Sequence, residues 1–171
     1  MKRVLSVFGD EFFPKFGRGM STTKRQKAQD KIMEFFKTTK PDLVYIMPTE
    51  GTCSFVAVLC GALNIPYIMV SPHPSFYDQV KINDKVCIRQ AMEGAKSFVL
   101  LDDDVPATRE ESVARYDDSV EFLCKVSSAI VFFYSKETSR EYKSFMDNTC
   151  AKVPEKHLWE LVYDIPNAIE F

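Results

Sequence analysis

The stretch Ser97-Phe98-Val99-Leu100-Leu101-Asp102-Asp103-Asp104 sets the tightest limit on what this chain can fold into. A short apolar run without polar alternation suits a strand covered on both faces, as in a parallel sheet. Three carboxylates follow at its C-terminal end. Ligands of open parallel sheets bind beyond the carboxyl ends of the strands, so the acids fall where a site belongs. The residues after them also read as an ordinary helix start: Thr108 or Asp104 is the N-cap, and Glu110 and Glu111 in the first turn favour the helix dipole.

Similar runs recur along the chain. Arg3–Phe8 is expected to be a first strand ending at Gly9-Asp10, followed by an aromatic loop with Phe12, Phe13 and Phe16. Ser21 or Thr22 caps a helix to about Thr38, with Ala28, Ile32, Phe35 and Phe36 at helical spacing on one face. A turn and buried strand within Lys40–Pro48, a loop Thr49-Glu50-Gly51-Thr52, a buried helix over Ser54–Leu63 and a strand over Tyr67–Val70 form a βαβ unit. Such units are right-handed, with the loop on the ligand side. A helix over Glu111–Lys125, with Val113, Tyr116, Val120, Leu123 and Cys124 inward, leads to a strand over Ser128–Tyr134. The pattern predicts an α/β fold: one domain over residues 1–171, a three-layer sandwich around a mainly parallel central sheet. Residues 1–20 are expected to be an N-terminal extension. Residues 71–96 read as a long connection with some helix near Val86–Met92.

With 171 residues, 46% of them hydrophobic, the chain has the size and composition of one globular domain. No apolar run approaches the roughly 20 residues of a membrane span, and a cytoplasmic setting is expected. Cys53, Cys60, Cys87, Cys124 and Cys150 sit among apolar neighbours with no C-x-x-C pair, which predicts reduced, mostly buried thiols. His73 and His157 lack metal-ligand spacing. Residues 1–40 hold ten Lys or Arg against four acids, while residues 102–121 hold eight acids against two Arg. That asymmetry suits two solvated faces or the steering of an anionic ligand. With no basic repeat interleaved with aromatics, no nucleic-acid partner is expected.

Asp103-Asp104-Val105-Pro106-Ala107-Thr108 resembles the phosphoribosyl pyrophosphate loop of type I phosphoribosyltransferases. Lys40–Val44, Glu50-Gly51 and Ala62–Pro66 resemble the first βαβ unit of the purine-type members. Phe133–Ser139 and Val153–Leu161 resemble the later strand, Lys, Ser and Trp of the xanthine and guanine enzymes. The resemblance implies a Rossmann-like domain that binds phosphoribosyl pyrophosphate or a nucleoside monophosphate and transfers ribose 5-phosphate to a nucleobase. It makes Asp103 and Asp104 the catalytic pair on the ribose hydroxyls, with Mg²⁺ on the pyrophosphate reached by them through ribose or water. Glu50, Gly51 and Thr52 fall on the pyrophosphate loop. Ala107, Thr108, Arg109, Glu110, Glu111 and Ser112 surround the 5'-phosphate, Lys136 and Trp159 take the base, and residues 71–96 form a hood or flap. A homodimer is allowed.

Departures from the family are equally specific. Arg109 stands where the family has Gly, Glu50 sits beside the single retained Gly51, and Ala107 replaces the acid of the 6-oxopurine enzymes. General acid or base work would then fall to Glu50, Glu110, His73 or the substrate. These departures support a second expectation, a non-catalytic descendant that binds a nucleotide or a protein. A third comes from Phe8-Gly9-Asp10, Gly17 and Ser127–Val131, which look similar to the SLOG family of Rossmann-like nucleotide-binding proteins. Its distinguishing expectation is that Arg3–Phe8 lies in the centre of the sheet.

Overall fold

The computed structural model describes residues 2–9, 22–47, 51–79, 82–135, 139–162 and 169–170. Strands and helices alternate: β1 (Val4–Gly9), α1 (Thr22–Thr39), β2 (Leu43–Ile46), α2 (Thr52–Ala62), β3 (Tyr67–Ser71), α3 (Ile82–Gly94), β4 (Ser97–Leu100), α4 (Arg109–Val126), β5 (Ala129–Tyr134), α5 (Ser139–Lys152), β6 (His157–Val162) and β7 (Ile169–Glu170). A 3-10 turn over Phe76–Gln79 stands between β3 and α3. The strands form one sheet in the order β4-β3-β2-β1-β5-β6-β7. β1 to β6 are all parallel to their neighbours, and only the two-residue β7 runs antiparallel, on β6. The expected α/β three-layer sandwich is what forms.

Side-chain alternation along the strands divides the core into two layers. Val131 and Phe133 of β5 join Leu5, Val7, Val44, Ile46 and Met69 under α1 and α2. Ile130, Phe132 and Tyr134 join Phe8 and Val70 under α4 and α5. All six residues of β5 but Ala129 are buried, as a strand covered on both faces requires. Ser6, fully buried in β1, donates its hydroxyl to the Leu123 carbonyl of α4 at 2.5 Å, which removes the cost of a polar group in the core.

Local signals fix the helix ends. α1 carries the expected stripe of Ala28, Ile32, Phe35 and Phe36, all buried. α2 ends in a full Schellman motif: Asn64 takes φ 55°, its N–H donates to Gly61 O, and the Ile65 N–H donates to Cys60 O. Asn accepts the left-handed conformation that most residues resist, and Pro66 then prevents helix continuation.

Several expectations change. Ser97–Leu100 is an edge strand and not an interior one: Ser97, Phe98 and Leu100 are exposed. An apolar run reports a capacity for burial, and among the described residues only β3 pairs with it. Residues 4–9 are no extension, because β1 occupies the middle of the sheet; residues 10–20 lie outside the described residues. Within 71–96 the helix expected near Val86–Met92 does form, but longer, as the crossover helix α3, whose Ala91 is buried in the core cluster that includes Tyr67 and residues of α2. Val113, expected inward on α4, is 52% exposed, because α4 turns its buried side chains, Ser119, Val120, Leu123 and Cys124, inward only from its middle onward. Helix α5 was not anticipated, its apolar residues being spaced among many charges.

Candidate functional site

Right-handed crossovers place α1 and α2 on one face of the sheet and α4 and α5 on the other, so the connections leaving β1 and β5 part in opposite directions. The crevice beyond the carboxyl ends of β1 and β5 is therefore the topological switch point, where ligands of open α/β sheets bind. Its described floor is Gly9, Gly51, Thr52, Ser54, Tyr134 and Ser135. The connections 10–21, 48–50 and 136–138, which include Glu50 and Lys136, lie outside the described residues.

Two glycines shape this floor. A Cβ on Gly9 would lie 2.7 Å from Thr52 Cβ and 3.4 Å from the Cys53 nitrogen, so the end of β1 abuts the first turn of α2. Gly51 holds φ 100° and ψ −138°, a conformation that side chains resist, and turns the chain sharply into α2. Gly51, as N-cap of α2, contributes no side-chain cap, and its carbonyl accepts from the Phe55 N–H at 3.3 Å. Ser54 donates its hydroxyl back to Gly51 O at 2.9 Å. Thr52 and Ser135 are fully buried at the tips of their elements. Tyr134 donates its hydroxyl to a Glu160 carboxylate oxygen at 3.3 Å, tying β5 to β6 at the same end.

The acidic turn after β4 is built differently. Asp102 accepts a 3.1 Å bond from the Asp104 N–H and pairs with Arg115 at 3.4 Å, while Arg115 also donates to the Asp104 carbonyl. Thr108 accepts from the Glu111 N–H at 3.1 Å, and the Glu111 carboxylate reaches back to the Ala107 N–H at 2.8 Å. This is a reciprocal helix cap. The backbone donors that a phosphate would use are partly taken by the turn's own carboxylate. Asp103, Asp104, Ala107, Arg109 and Glu110 are exposed, and Ser112 is half-buried.

His73, in the loop after β3, is 1% exposed. Its Nδ1 lies 3.1 Å from the Ser75 hydroxyl, its carbonyl accepts from Ser71 at 2.7 Å, and its ring meets Phe76 edge-on. Burial first, then the Arg115 charge, lower its pKa, with Asp102 and Asp78 opposing. The imidazole is thereby held neutral near pH 7. Arg115, which organises this corner, escaped the sequence reading. The available signal was its i+4 spacing from Glu111, yet its partner is the distant Asp102.

Trp159 lies on β6 opposite Val131, packed edge-on against Phe35 at 5.6 Å and beside His157 at 4.6 Å. It borders a cavity of about 580 Å³ near the amino ends of the strands, lined also by Arg3, Glu34, Phe35, Thr38 and Pro41. β4 and β6 are five strand spacings apart, about 24 Å at the usual interstrand distance. The structure therefore does not bring Trp159 together with Asp103 and Asp104, and one nucleotide cannot reach both.

Among the described residues no group of three or more His, Cys, Asp or Glu comes together as a metal cluster. The carboxylates of Asp103 and Asp104 carry hard oxygen donors suited to Mg²⁺ held through water on a diphosphate. Three of the five cysteines are buried and two half-buried, with burial pushing the Cys60 thiol up to about 12 and Cys124 to about 11. No helix among the described residues is long and apolar enough to cross a membrane. Comparison with protein-family models and with curated protein sequences gives no match.

Proposed function

We propose that this chain is a Rossmann-like nucleotide-binding protein of the SLOG type, taking a phosphate-bearing ligand at the crevice between β1 and β5. The observation that carries the reading is the central position of β1, with Gly9 pressed against the first turn of α2. A glycine there lets the helix N-terminus come close to the strand tip, and first-turn N–H groups favour an anion. Binding in a cytoplasmic setting, without a membrane or nucleic-acid partner, completes this reading.

Ribosyl transfer from phosphoribosyl pyrophosphate is the second reading. Adjacent carboxylates at Asp103 and Asp104, exposed beyond a parallel strand, favour it, since ribose hydroxyls donate well to such a pair. Mg²⁺ would offset the charge of the diphosphate leaving group. The capped, acid-filled turn at Thr108–Glu111 weighs on the other side.

Isothermal titration separates the two. The first reading expects a nucleoside monophosphate to bind, Gly9→Val to abolish that binding by crowding the first turn of α2, and the Asp103→Asn/Asp104→Asn double variant to bind normally. Binding of phosphoribosyl pyrophosphate with Mg²⁺ that is lost in the double variant would establish the second reading instead. No heat with either ligand at millimolar concentration defeats both.

A further inference from the structure

We infer that the open β4 edge is a homodimer interface, in which β4 of two copies pair antiparallel about a two-fold axis. This goes beyond nucleotide binding and does not depend on it.

Three observations meet at this edge. First, β4 itself exposes two large hydrophobic side chains, Phe98 and Leu100, which strand alternation puts on one face, and exposed Val105 follows in the acidic turn. Scattered exposed apolar residues need no explanation, but apolar side chains exposed together on an edge strand mark an interaction surface. Second, among the described residues β4 pairs only with β3, so one side of its backbone has no ladder partner there. Natural edge strands are usually blunted by charge, proline or bulges. Ser97-Phe98-Val99-Leu100 has none of these within it, whereas the opposite edge ends in the two-residue β7 with Glu170.

Third, the strand is complementary to itself. With the axis on Val99, Phe98 of one copy faces Leu100 of the other, and both are exposed on the free chain. The same register sets Lys96 opposite position 102 of the second copy, whose carboxylate its own Arg115 holds, and next to the exposed Asp103. A cation before the strand and acids after it favour the antiparallel over the parallel arrangement. Equivalent contacts made twice satisfy a closed two-fold, so the assembly stops at two copies. Six parallel strands in each copy then continue through the axis into one sheet.

Sedimentation equilibrium of the full chain tests this, and the expected mass is twice the 19.6 kDa of one copy. Phe98→Lys places two lysines near the axis and should raise the dissociation constant about tenfold or more. Should that variant fail to fold, Val99→Cys gives an independent answer. Paired residues on the axis hold their Cα atoms about 4.5–5.5 Å apart, within disulfide reach. Mild oxidation should therefore convert the Val99→Cys chain, but not the unmodified chain, to a covalent dimer on non-reducing gels. A wild-type monomer up to several hundred micromolar overturns the inference. So does a dimer that survives Phe98→Lys in a folded chain, or that fails to cross-link through position 99.

Discussion

The tips of β1 and β4 point the same way from the same sheet, yet they are opposites. β1 is flanked by β2 and β5, its middle residues are buried, and its end presses on α2. Among the described residues β4 has one neighbour; it exposes Phe98 and Leu100, and of the acids at its end Asp102 is bonded within its own turn and to Arg115. In sequence, β4 with its three carboxylates looked the more functional of the two. In the fold, the plainer strand holds the switch point. Chemistry-bearing residues at a strand end acquire a role only when neighbouring elements wall a space around them.

The sharpest way to break this contrast is to truncate the core on each side of it. Phe132→Ala in β5, next to β1 and fully buried, should cost about 3–5 kcal/mol in urea unfolding, whereas Val99→Ala in β4 should cost about 1 kcal/mol. Equal losses would mean that β4 is as deeply built in as the centre. Gly9→Val should cost about 2–3 kcal/mol, because its side chain meets Thr52 and α2 must retreat. It should also abolish nucleotide binding if the crevice is the site.

Acid sensitivity probes the corner between β3 and β4. His73 has a lowered folded pKa, so its neutral form is the one compatible with the fold. Its contribution is intact above the ordinary value of 6.5 and is lost as the pH falls below it toward the folded pKa. Urea midpoints should fall between pH 7 and pH 5, with a slope from this one proton of at most about 1.4 kcal/mol per pH unit. His73→Gln should flatten that part of the profile; an unchanged slope would assign it to other groups. Thr108→Ala should cost about 1 kcal/mol through loss of the α4 cap. The smallest effect belongs to Asp103→Asn and Asp104→Asn, each within about 0.5 kcal/mol, since both side chains are exposed.

Much of the architecture was legible in the chain itself. Five apolar runs announced β1 to β5 of the seven strands, the Ala28–Phe36 stripe announced α1, Asn64-Ile65-Pro66 announced the end of α2, and Thr108 with Glu111 announced the cap of α4. These signals act over a few residues, where hydrogen bonding and burial periodicity are settled by neighbours in sequence. Strand order is settled otherwise. Whether Val4–Gly9 or Ser97–Leu100 became the centre depended on the direction of each crossover and on which helix covered which face. Both runs are apolar enough for the interior, and only packing between residues more than a hundred positions apart, as in Ser6 with Leu123, chose between them.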